Sequence, residues 1–406
     1  MRVIKKTFFI SALFLLFFST EMTAISFSGN TGGRINYSSE KNASGYDPQL
    51  CLEAFFEGQF NISSNIWSHL DFSIKTGDFL NVDLFSAVDS KFKIDEISMI
   101  FKTQIDKNQN YFSCFMGTYD PIGSDIFLQR YLGQQKISSK LTESWLGQAA
   151  SVLYPHFGIG ISDVLKLGEQ PLALGLYCYF NNEDENYYVF NTDLRFAGVY
   201  RFFTFDVAGG IGAPLSDNYK GEEVIVAVEK LYWHAGATLL IGNNYTQGLF
   251  MQAGIFNAAF APGKNSSDTF KDDIYILIEP RFKIKNTHVN LTAWSLPDNT
   301  VNQLLFIDDN LGINLNIYSE SLIFGSQKYT LGTNIAWSFP DKYFTDIKDI
   351  LTPIKSGDFN INITPYISTN LLSGEIHAQV KLGIMDFIRK NWYDGIGADI
   401  GYRVTF

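Results

Sequence analysis

Apolar and polar residues alternate strictly along the last twelve residues of the chain. One phase holds the apolar side chains Ile396, Ala398, Ile400, Tyr402, Val404 and Phe406. The other phase holds the small or polar residues Gly395, Gly397, Asp399, Gly401, Arg403 and Thr405. A period of two is typical of a β-strand whose two faces meet different media. The segment therefore predicts a strand with one apolar face and one polar face.

The same alternation recurs along the chain from residue 25 onward. It predicts strands at 25–37, 49–62, 66–75, 92–103, 111–119, 151–162, 171–180, 187–197, 200–211, 223–241, 248–256, 273–284, 288–295, 310–318, 328–339, 358–370, 375–386 and 395–406. No later segment is continuously apolar for the length of a membrane-spanning helix, which excludes a helical membrane protein. We therefore predict an all-β fold, a transmembrane antiparallel β-barrel of about 18 strands, with about 16 as the alternative count.

Two features complicate this count. In segment 223–241 the apolar phase changes between Val228 and Leu231, which predicts a bulge in one long strand or a tight turn between two strands. We predict a single strand, because splitting it would move the later long connections to the wrong end of the barrel. Pro280 and Pro365 lie inside strand patterns, and we expect a local bulge at each because proline lacks a ladder donor.

The predicted connections are short at one end of the barrel and mostly long at the other. In membrane barrels both termini and the short turns face the periplasm, while the long loops face outward. The longest outer connection is 120–150, between the fifth and sixth strands. In segment 341–355 the apolar residues fall at helical spacing, which predicts a short helix over the barrel mouth.

The N-terminal segment has the pattern of a secretory signal. Basic residues precede an apolar run at 8–18, which is too short to span a membrane as a helix, and small Ala24 follows. We therefore predict a signal peptide at 1–24 and a barrel at 25–406.

Composition supports a barrel and limits its partners. Aromatic residues make up 16% of the chain and charged residues 18%, while mean hydropathy is near zero. A barrel reconciles these values, because the residues that face the lumen are free to be polar. The net charge is −11, and removing residues 1–24, which hold three basic residues and one acidic residue, makes it −13. A nucleic-acid partner is therefore not expected.

The terminal strand resembles the closing strand of bacterial outer-membrane β-barrels. The resemblance rests on the alternating apolar positions and the final aromatic, with Tyr402, Val404 and Phe406 as the insertion signal. It implies the outer membrane of a double-membrane bacterium, contact with outer-membrane lipids, and recognition of this strand by the barrel-assembly machinery. The further likeness to porins allows a homo-oligomer.

Charged residues on the polar phase are expected to face the lumen. These candidates are Glu53, Glu57, Asp71, Arg195, Glu279, Arg281, Lys283 and Arg403. In general-diffusion porins the loop between strands five and six folds inward and narrows the pore, and connection 120–150 holds that place by order. Its candidate constriction residues are Asp120, Asp125, Arg130, Lys136, Lys140 and Glu143. The alternative is a solvated loop at the barrel mouth.

The sequence holds no catalytic motif that we recognise. It lacks G-x-S-x-G, H-E-x-x-H and a P-loop, so we expect no enzyme activity, no cofactor and no metal ligands. The expected function is a porin-like channel for passive or facilitated passage of small hydrophilic solutes. The alternatives are a transporter for hydrophobic molecules, similar to fatty-acid barrels, and a non-conducting surface or adhesive barrel.

Overall fold

Strands dominate the structure, which is a computed structural model. It describes residues 26–42, 45–80, 90–143, 156–184, 187–219, 222–228, 231–243, 247–259, 273–301, 304, 307–340, 342–389 and 395–406. The predicted signal peptide at 1–24 lies outside the described residues and stays a prediction.

The strand segments follow the predicted order closely. They are β1 (Ser26–Asn42), β2 (Gly45–Ser63), β3 (Ile66–Lys75), β4 (Lys91–Ile105), β5 (Asn108–Thr118), β6 (Phe157–Lys166), β7 (Leu172–Asp184), β8 (Tyr187–Tyr200), β9 (Phe203–Tyr219), β10 (Glu222–Val228), β11 (Tyr232–Gly242), β12 (Gln247–Ala259), β13 (Ile274–Ile284), β14 (Thr287–Ser295), β15 (Leu311–Phe324), β16 (Gln327–Phe339), β17 (Asn360–Leu371), β18 (Gly374–Gly383) and β19 (Ile396–Thr405). The sixth strand extends to Lys166, beyond the predicted end at 162, because its inward Val164 is apolar and hides the alternation there. Residues 151–155 of the predicted strand lie outside the described residues.

Each strand pairs antiparallel with its neighbours in the chain, and the sheet closes on itself. The first strand, β1, pairs with β2 along its whole length and with β19 from Asn30 opposite Thr405 to Tyr37 opposite Ala398. Segments β10 and β11 both pair with β9, one after the other, so they occupy a single position in the wall. The fold is therefore a closed antiparallel barrel of 18 strands, which confirms the predicted class and count.

The phase change in the tenth barrel strand is a bulge. Val228 lies opposite Leu215 and Tyr232 lies opposite Gly212, so four steps along this strand match three along β9. One extra residue is therefore accommodated between β10 and β11, and the apolar phase shifts across it. The prediction of one strand with a bulge is confirmed.

The two prolines do not produce the expected bulges. Pro280 lies opposite Leu249 of β12, and Pro365 lies opposite Thr333 of β16, both in unbroken register. Pairing is interrupted at each proline only on the other side, towards β14 and β18, and it resumes in the same register. The reason is that the missing N–H removes a donor towards one neighbour without inserting a residue.

The two faces of the wall differ as the alternation predicts. Large apolar side chains are exposed on the outer face, among them Phe112, Ile159, Ile161, Leu194, Phe282 and Ile400. Polar side chains lie on the inner face and are mostly buried or half-buried. An apolar outer belt over a closed hydrogen-bonded wall is the arrangement of a transmembrane β-barrel. Among the described residues, no helix is both long and apolar enough to cross a bilayer.

The long connections all lie at one end of the barrel, although at that end only two residues separate β1 from β2, β7 from β8 and β9 from β10. The connections at the other end are short. The long connections carry the helices α1 (Ile126–Leu132), α2 (Asp298–Val301), α3 (Leu351–Ser356) and α4 (Ile384–Arg389), and a 3-10 helix at Phe344–Asp349. The 3-10 helix and α3 confirm the helical prediction for segment 341–355. Phe344 donates its N–H to Ser295 Oγ, and the Tyr343 hydroxyl donates to Asp298, so this segment contacts the end of β14 and helix α2.

Candidate functional site in the barrel lumen

The connection after β5 folds into the barrel. We call its described residues, 119–143, the inward loop. Arg130 in this loop contacts Glu96 of β4 at 2.9 Å, whereas Gln252 of β12 donates a 2.5 Å hydrogen bond to the carbonyl of Gly123. Strands β4 and β12 lie far apart around the wall. The inward loop therefore crosses the lumen.

The far end of the inward loop is held by a second group of wall residues. Arg281 of β13 donates to the carbonyl oxygens of Ile137 and Ser138 at 2.9 and 3.1 Å. Glu279 of the same strand accepts a hydrogen bond from the Ser139 hydroxyl. These contacts involve main-chain carbonyls as well as a side chain. They therefore fix the position of the loop backbone and not only of one side chain.

Apolar side chains of the inward loop and of the wall form a buried hydrophobic core. Its loop members are Tyr119, Ile122, Phe127, Leu128, Tyr131, Ile137 and Leu141, and its wall members include Phe115, Tyr177, Phe250 and Leu277. Burying this much apolar surface is the main favourable contribution to keeping the loop inside. In the sequence, the feature that favours an inward loop over a solvated one is an outer connection rich in apolar residues.

Asp120 lies at the start of the inward loop and is completely buried. Its φ of 43° is in the left-handed region, which aspartate tolerates better than most residues. Its carboxylate accepts hydrogen bonds from Arg130 at 2.7 Å and from the hydroxyls of Tyr131 and Tyr177, both at 3.0 Å. Burial and the charge of Asp120 raise the pKa of the Tyr131 hydroxyl well above its ordinary value, so this hydroxyl stays a donor.

Arg195 of β8 fastens the same turn from the wall. Its guanidinium binds both carboxylate oxygens of Asp206 at 2.8 and 2.5 Å and donates to the carbonyl of Asp120 at 2.6 Å. It also stacks over the ring of Phe127, with its central carbon 4.4 Å from the ring centroid. A planar fork of donors suits this combination of a carboxylate, a carbonyl and an aromatic face.

A fully buried cluster of histidine and aspartate lies beside this turn. Asp193 of β8 is 2.7 Å from His156 Nε2 and 3.0 Å from His234 Nε2, and it accepts a 3.1 Å hydrogen bond from the Tyr179 hydroxyl. His156 Nδ1 is in turn 3.1 Å from the carbonyl of Tyr119. The cluster therefore connects β7, β8 and β11 to the first residue of the inward loop.

The six candidate constriction residues divide into two groups. Asp120 and Asp125 are buried, and Arg130 is engaged by Asp120 and Glu96. Asp125 accepts from the Ile137 N–H and the Ser138 hydroxyl, within the loop itself. These three residues therefore anchor the loop, which corrects the expectation that they face a solute.

Lys136, Lys140 and Glu143 form the second group and remain partly exposed. Lys140 pairs with Glu143 and lies over the ring of Tyr318 of β15, with its Nζ 5.4 Å from the centroid. Burial raises the pKa of Glu143, but the ammonium groups of Lys140 and Lys136 outweigh burial and lower it to about 2. Glu143 is therefore a stable carboxylate at neutral pH. The constriction role of these three residues stays a prediction.

A second connection also turns inward, which sequence reasoning did not foresee. We call residues 296–310, as far as they are described, the second inward loop. Ile307 is buried, Asp308 pairs with Lys381 of β18, and Asp309 accepts a 2.9 Å hydrogen bond from Asn360 of β17. Burial raises the pKa of Asp309. This loop therefore narrows the lumen from the side of β16, β17 and β18.

Between the two loops the wall carries amides in place of charges. Asn314 and Asn316 of β15 both donate to Asn334 of β16 at 3.0 Å, and Asn316 also donates to the Tyr366 hydroxyl at 3.1 Å. The signal in the sequence is a run of asparagines on the inward phase of consecutive strands. These amide groups make this part of the wall polar without adding charge.

All eight lumen-facing candidates lie on the inward phase of their strands. Arg195, Glu279 and Arg281 bind the inward loop, whereas Glu53 pairs with Arg34 at 2.6 Å and Arg403 pairs with Glu375 at 2.8 Å. Glu57 and Asp71 lie beside His69 on β2 and β3. Lys283 is half-buried on β13.

Exposure of the inner wall differs between two sectors. Under the loops, Asp193, Glu279 and Asn314 have 0% of their surface exposed. On the inner faces of β18, β19, β1, β2 and β3, which we call the open sector, Arg34 and Glu57 keep side-chain exposures of 23% and 29%. Asp399 and Gln379 of the open sector are nevertheless buried, so water contacts part of the polar wall in this sector, whereas the inner wall under the loops is buried.

No protein-family model and no curated protein sequence matches the chain. Among solved structures, the barrel is similar to the Escherichia coli outer-membrane protein Wzi, described as a carbohydrate-binding β-barrel involved in group 1 capsule assembly. The identity is 12% and the TM-score 0.46, over 93% of this chain and 84% of Wzi.

Two further solved structures are similar over the same part of the chain. OprB of Pseudomonas putida has 8% identity and a TM-score of 0.42, over 94% of both chains. A mutant of the Rh. blastica porin has 10% identity and a TM-score of 0.42, over 94% of this chain and 100% of the porin. At such identities and scores a likeness concerns the barrel architecture alone and does not indicate a function.

Proposed function

We propose that the protein is an outer-membrane channel of a double-membrane bacterium, through which small hydrophilic solutes pass along the open sector. The observation that carries this proposal is the contrast between the partly exposed inward charges Arg34 and Glu57 in the open sector and the fully buried polar groups under the two loops. Burying a charge is costly. A barrel interior that served only for internal packing is therefore not expected to carry charged groups, whereas an aqueous passage keeps its charged groups in contact with water.

The charges of the open sector favour hydrated solutes. The wall of this sector carries the ion pairs Arg34–Glu53 and Arg403–Glu375, and Lys381 pairs with Asp308 of the second inward loop. Charged groups on the wall of an aqueous passage interact favourably with polar molecules, whereas apolar molecules gain nothing from them. The apolar residues of the inner wall pack largely against the inward loop, which disfavours a hydrophobic-substrate transporter.

Lys136, Lys140 and Glu143 are proposed as the constriction. They are the partly exposed charges of the inward loop, and Glu143 is held ionised by its two lysine partners. The remaining constriction candidates of the sequence serve to hold the loop at this position.

Conductance across a planar lipid bilayer tests the channel. The purified, folded barrel is expected to give ohmic steps whose size grows in proportion to salt concentration. Liposome swelling with a series of sugars then gives the size limit. Absence of steps and of swelling, with the barrel shown to be folded by its resistance to unfolding in cold SDS, would contradict the proposal.

A charge reversal in the inward loop connects conduction to this site. Lys136→Glu is expected to shift the reversal potential in a salt gradient towards cation selectivity, since it adds negative field at the constriction. Lys107→Glu makes the same change on an exposed short turn and should leave the reversal potential unchanged. Equal shifts of the reversal potential in both variants would contradict the assignment of the constriction to the inward loop.

A non-conducting surface barrel is the second candidate. It is favoured by one observation, the filling of much of the lumen by two inward loops held through buried hydrogen bonds. The bilayer experiment separates the two candidates, because a closed barrel inserts without conducting.

A further inference from the structure

Three potential metal ligands converge on the inner face of β2 and β3, in the open sector. Glu57 lies directly opposite Asp71, and His69 lies two residues before Asp71 on the same face. His69 Nε2 is 3.1 Å from Asp71 Oδ2 and 3.9 Å from Glu57 Oε1. One ligand atom from each residue lies within 4.8 Å of the other two.

Negative charge accumulates around these ligands. On its other side Asp71 lies opposite Glu96 of β4, so it stands between two carboxylates. The register of β4 shifts next to this pair, and the bulge brings a further carboxylate, Asp95, to the inner face. Glu96 and Asp95 are each paired with a cation, because Arg130 binds Glu96 and Lys93 binds Asp95 at 2.6 Å, so neither of these cations pairs with Glu57 or Asp71. Like charges directly opposite one another destabilise a sheet.

Asp71 also carries an unsatisfied oxygen. Its Oδ1 is buried and accepts no hydrogen bond from the described residues. A buried carboxylate oxygen without a partner costs free energy that native proteins seldom leave unrecovered. A cation bound by the Asp71 carboxylate would compensate its charge and offset the repulsion between the facing carboxylates at the same time.

We infer that Glu57, His69 and Asp71 bind a divalent transition-metal ion of the Zn²⁺ class on the channel wall. An imidazole nitrogen with two carboxylate oxygens is a ligand set that suits such ions better than Mg²⁺ or Ca²⁺, which take oxygen ligands. Ligand atoms about 2.0–2.2 Å from one ion are separated by about 3–4 Å. The two distances from His69 Nε2, 3.1 and 3.9 Å, lie in this range.

A neighbouring amide holds the first ligand in position. The Asn30 side chain of β1 donates a 3.1 Å hydrogen bond to Glu57 Oε2, which leaves Oε1 directed at His69. Hydrogen bonds of this kind orient metal ligands and raise affinity. Three protein ligands leave a coordination position for water or a solute in the lumen. The inference rests on this wall geometry and does not require the barrel to conduct.

Equilibrium binding to the folded full-length mature barrel tests the site. Zn²⁺ is titrated against a chromophoric chelator in detergent, and Co²⁺ is added separately because its visible absorption reports coordination by nitrogen and oxygen. The expected result is one Zn²⁺ per chain, a Co²⁺ spectrum that Zn²⁺ abolishes, and no displacement by excess Mg²⁺. This readout is independent of any current through the barrel.

Variants assign the binding to these residues. His69→Gln and Asp71→Asn keep the size of each side chain and should abolish stoichiometric binding, while Asn30→Ala should weaken it by about 10-fold. His377→Gln is the matched control, because His377 also lies on the inner wall of the open sector, beside Gln379. It should leave the affinity unchanged.

Two outcomes would overturn the inference. The first is a folded wild-type barrel that binds no stoichiometric Zn²⁺ or Co²⁺, in which case His69 serves only as an ion-pair partner of the carboxylates. The second is stoichiometric binding that survives unchanged in His69→Gln and Asp71→Asn, whether or not it is lost in His377→Gln. Displacement of Zn²⁺ by Ca²⁺ at comparable concentration would overturn the assigned class of ion.

Discussion

Arg195 of β8 donates a 2.6 Å hydrogen bond to the carbonyl oxygen of Asp120, the residue with which the chain turns from the wall into the lumen. The same guanidinium binds Asp206 of β9, so one side chain joins two strands to the start of the inward loop. All three residues are buried. The position of the loop therefore depends on a contact far from the residues that meet solvent.

Replacing Arg195 by alanine should destabilise the barrel by about 3–5 kcal/mol, because it leaves Asp206 as an uncompensated buried charge. The free energy of unfolding in urea, followed by tryptophan fluorescence, measures this loss. The inward loop should also become sensitive to protease before the wall does. Arg201→Ala, on the exposed turn between β8 and β9, is the control and should change neither property. Equal stability of the two variants would show that the Arg195 contact does not hold the loop.

Gly210 makes room for the buried cluster of Asp193, His156 and His234. A Cβ at this position would lie 1.9 Å from Asp193 Oδ1 and 2.7 Å from His234 Nε2. Gly210→Ala is therefore expected to lower the free energy of unfolding by about 1–3 kcal/mol, since the cluster must shift to accommodate the methyl group.

The adjacent glycine provides the control for this change. A Cβ on Gly209 would meet its nearest atoms at 3.4, 3.6 and 3.9 Å, which are ordinary contact distances. Gly209→Ala should therefore change the free energy of unfolding far less. If both variants lose the same stability, the effect belongs to strand propensity and not to the cluster.

The ion pairs of Glu143 make a contribution to stability that depends on pH. Its pKa in the folded protein is about 2, against an ordinary value of 4.5. A carboxyl with a lowered pKa stabilises the folded state fully above its unfolded pKa, and this contribution is lost as pH falls towards the folded pKa. The difference in free energy of unfolding between wild type and Glu143→Gln should be constant above about pH 5 and shrink between pH 4.5 and 2.

Glu169→Gln removes a carboxylate from an exposed turn and is the matched comparison for this pH dependence. Its difference from wild type should stay small over the same range of pH. A Glu143→Gln difference that grows on acidification would contradict the lowered pKa and, with it, the ion pairs with Lys140 and Lys136.

The sequence predicted the strands well because one physical rule governs every one of them. Alternate residues of a barrel wall meet lipid, so the outward phase is apolar almost without exception. The rule fails where the inner phase is apolar too. Val164 faces inward and is buried in the core, and this blurred the alternation near the end of β6. Leu277 is equally buried, but the charged residues that share its face kept the alternation of β13 clear, and that strand was predicted to within one residue.

The arrangement of the site was less accessible to sequence reasoning. Which residues face one another depends on strand register, and the hairpin between β2 and β3 contains a register shift between Asn61 and Ser63. The contact between Glu57 and Asp71 follows only once that shift is known. Asp120 and Arg130 were expected to face the lumen, but their charges are used to hold the loop. The sequence alone does not show which residue pairs with a given charged side chain.

The closing seam of the barrel gives the last prediction. Phe406 forms both main-chain hydrogen bonds with Gly29 of β1, at 3.0 Å each, and its ring stacks on Phe27 with centroids 4.8 Å apart. Phe406→Ala should cost about 1 kcal/mol of stability in detergent, the size of one aromatic pair. If the final aromatic is also an insertion signal, the yield of folded barrel in cells should fall much further than this stability change explains.

Phe324→Ala is the control, because Phe324 is an exposed aromatic at the same end of the barrel and packs edge-on against Tyr329 at 5.7 Å. The folded fraction in isolated membranes, measured by heat-dependent migration in SDS gels, should therefore drop for Phe406→Ala alone. Similar folded fractions for the two variants would reduce the role of Phe406 to packing at the seam.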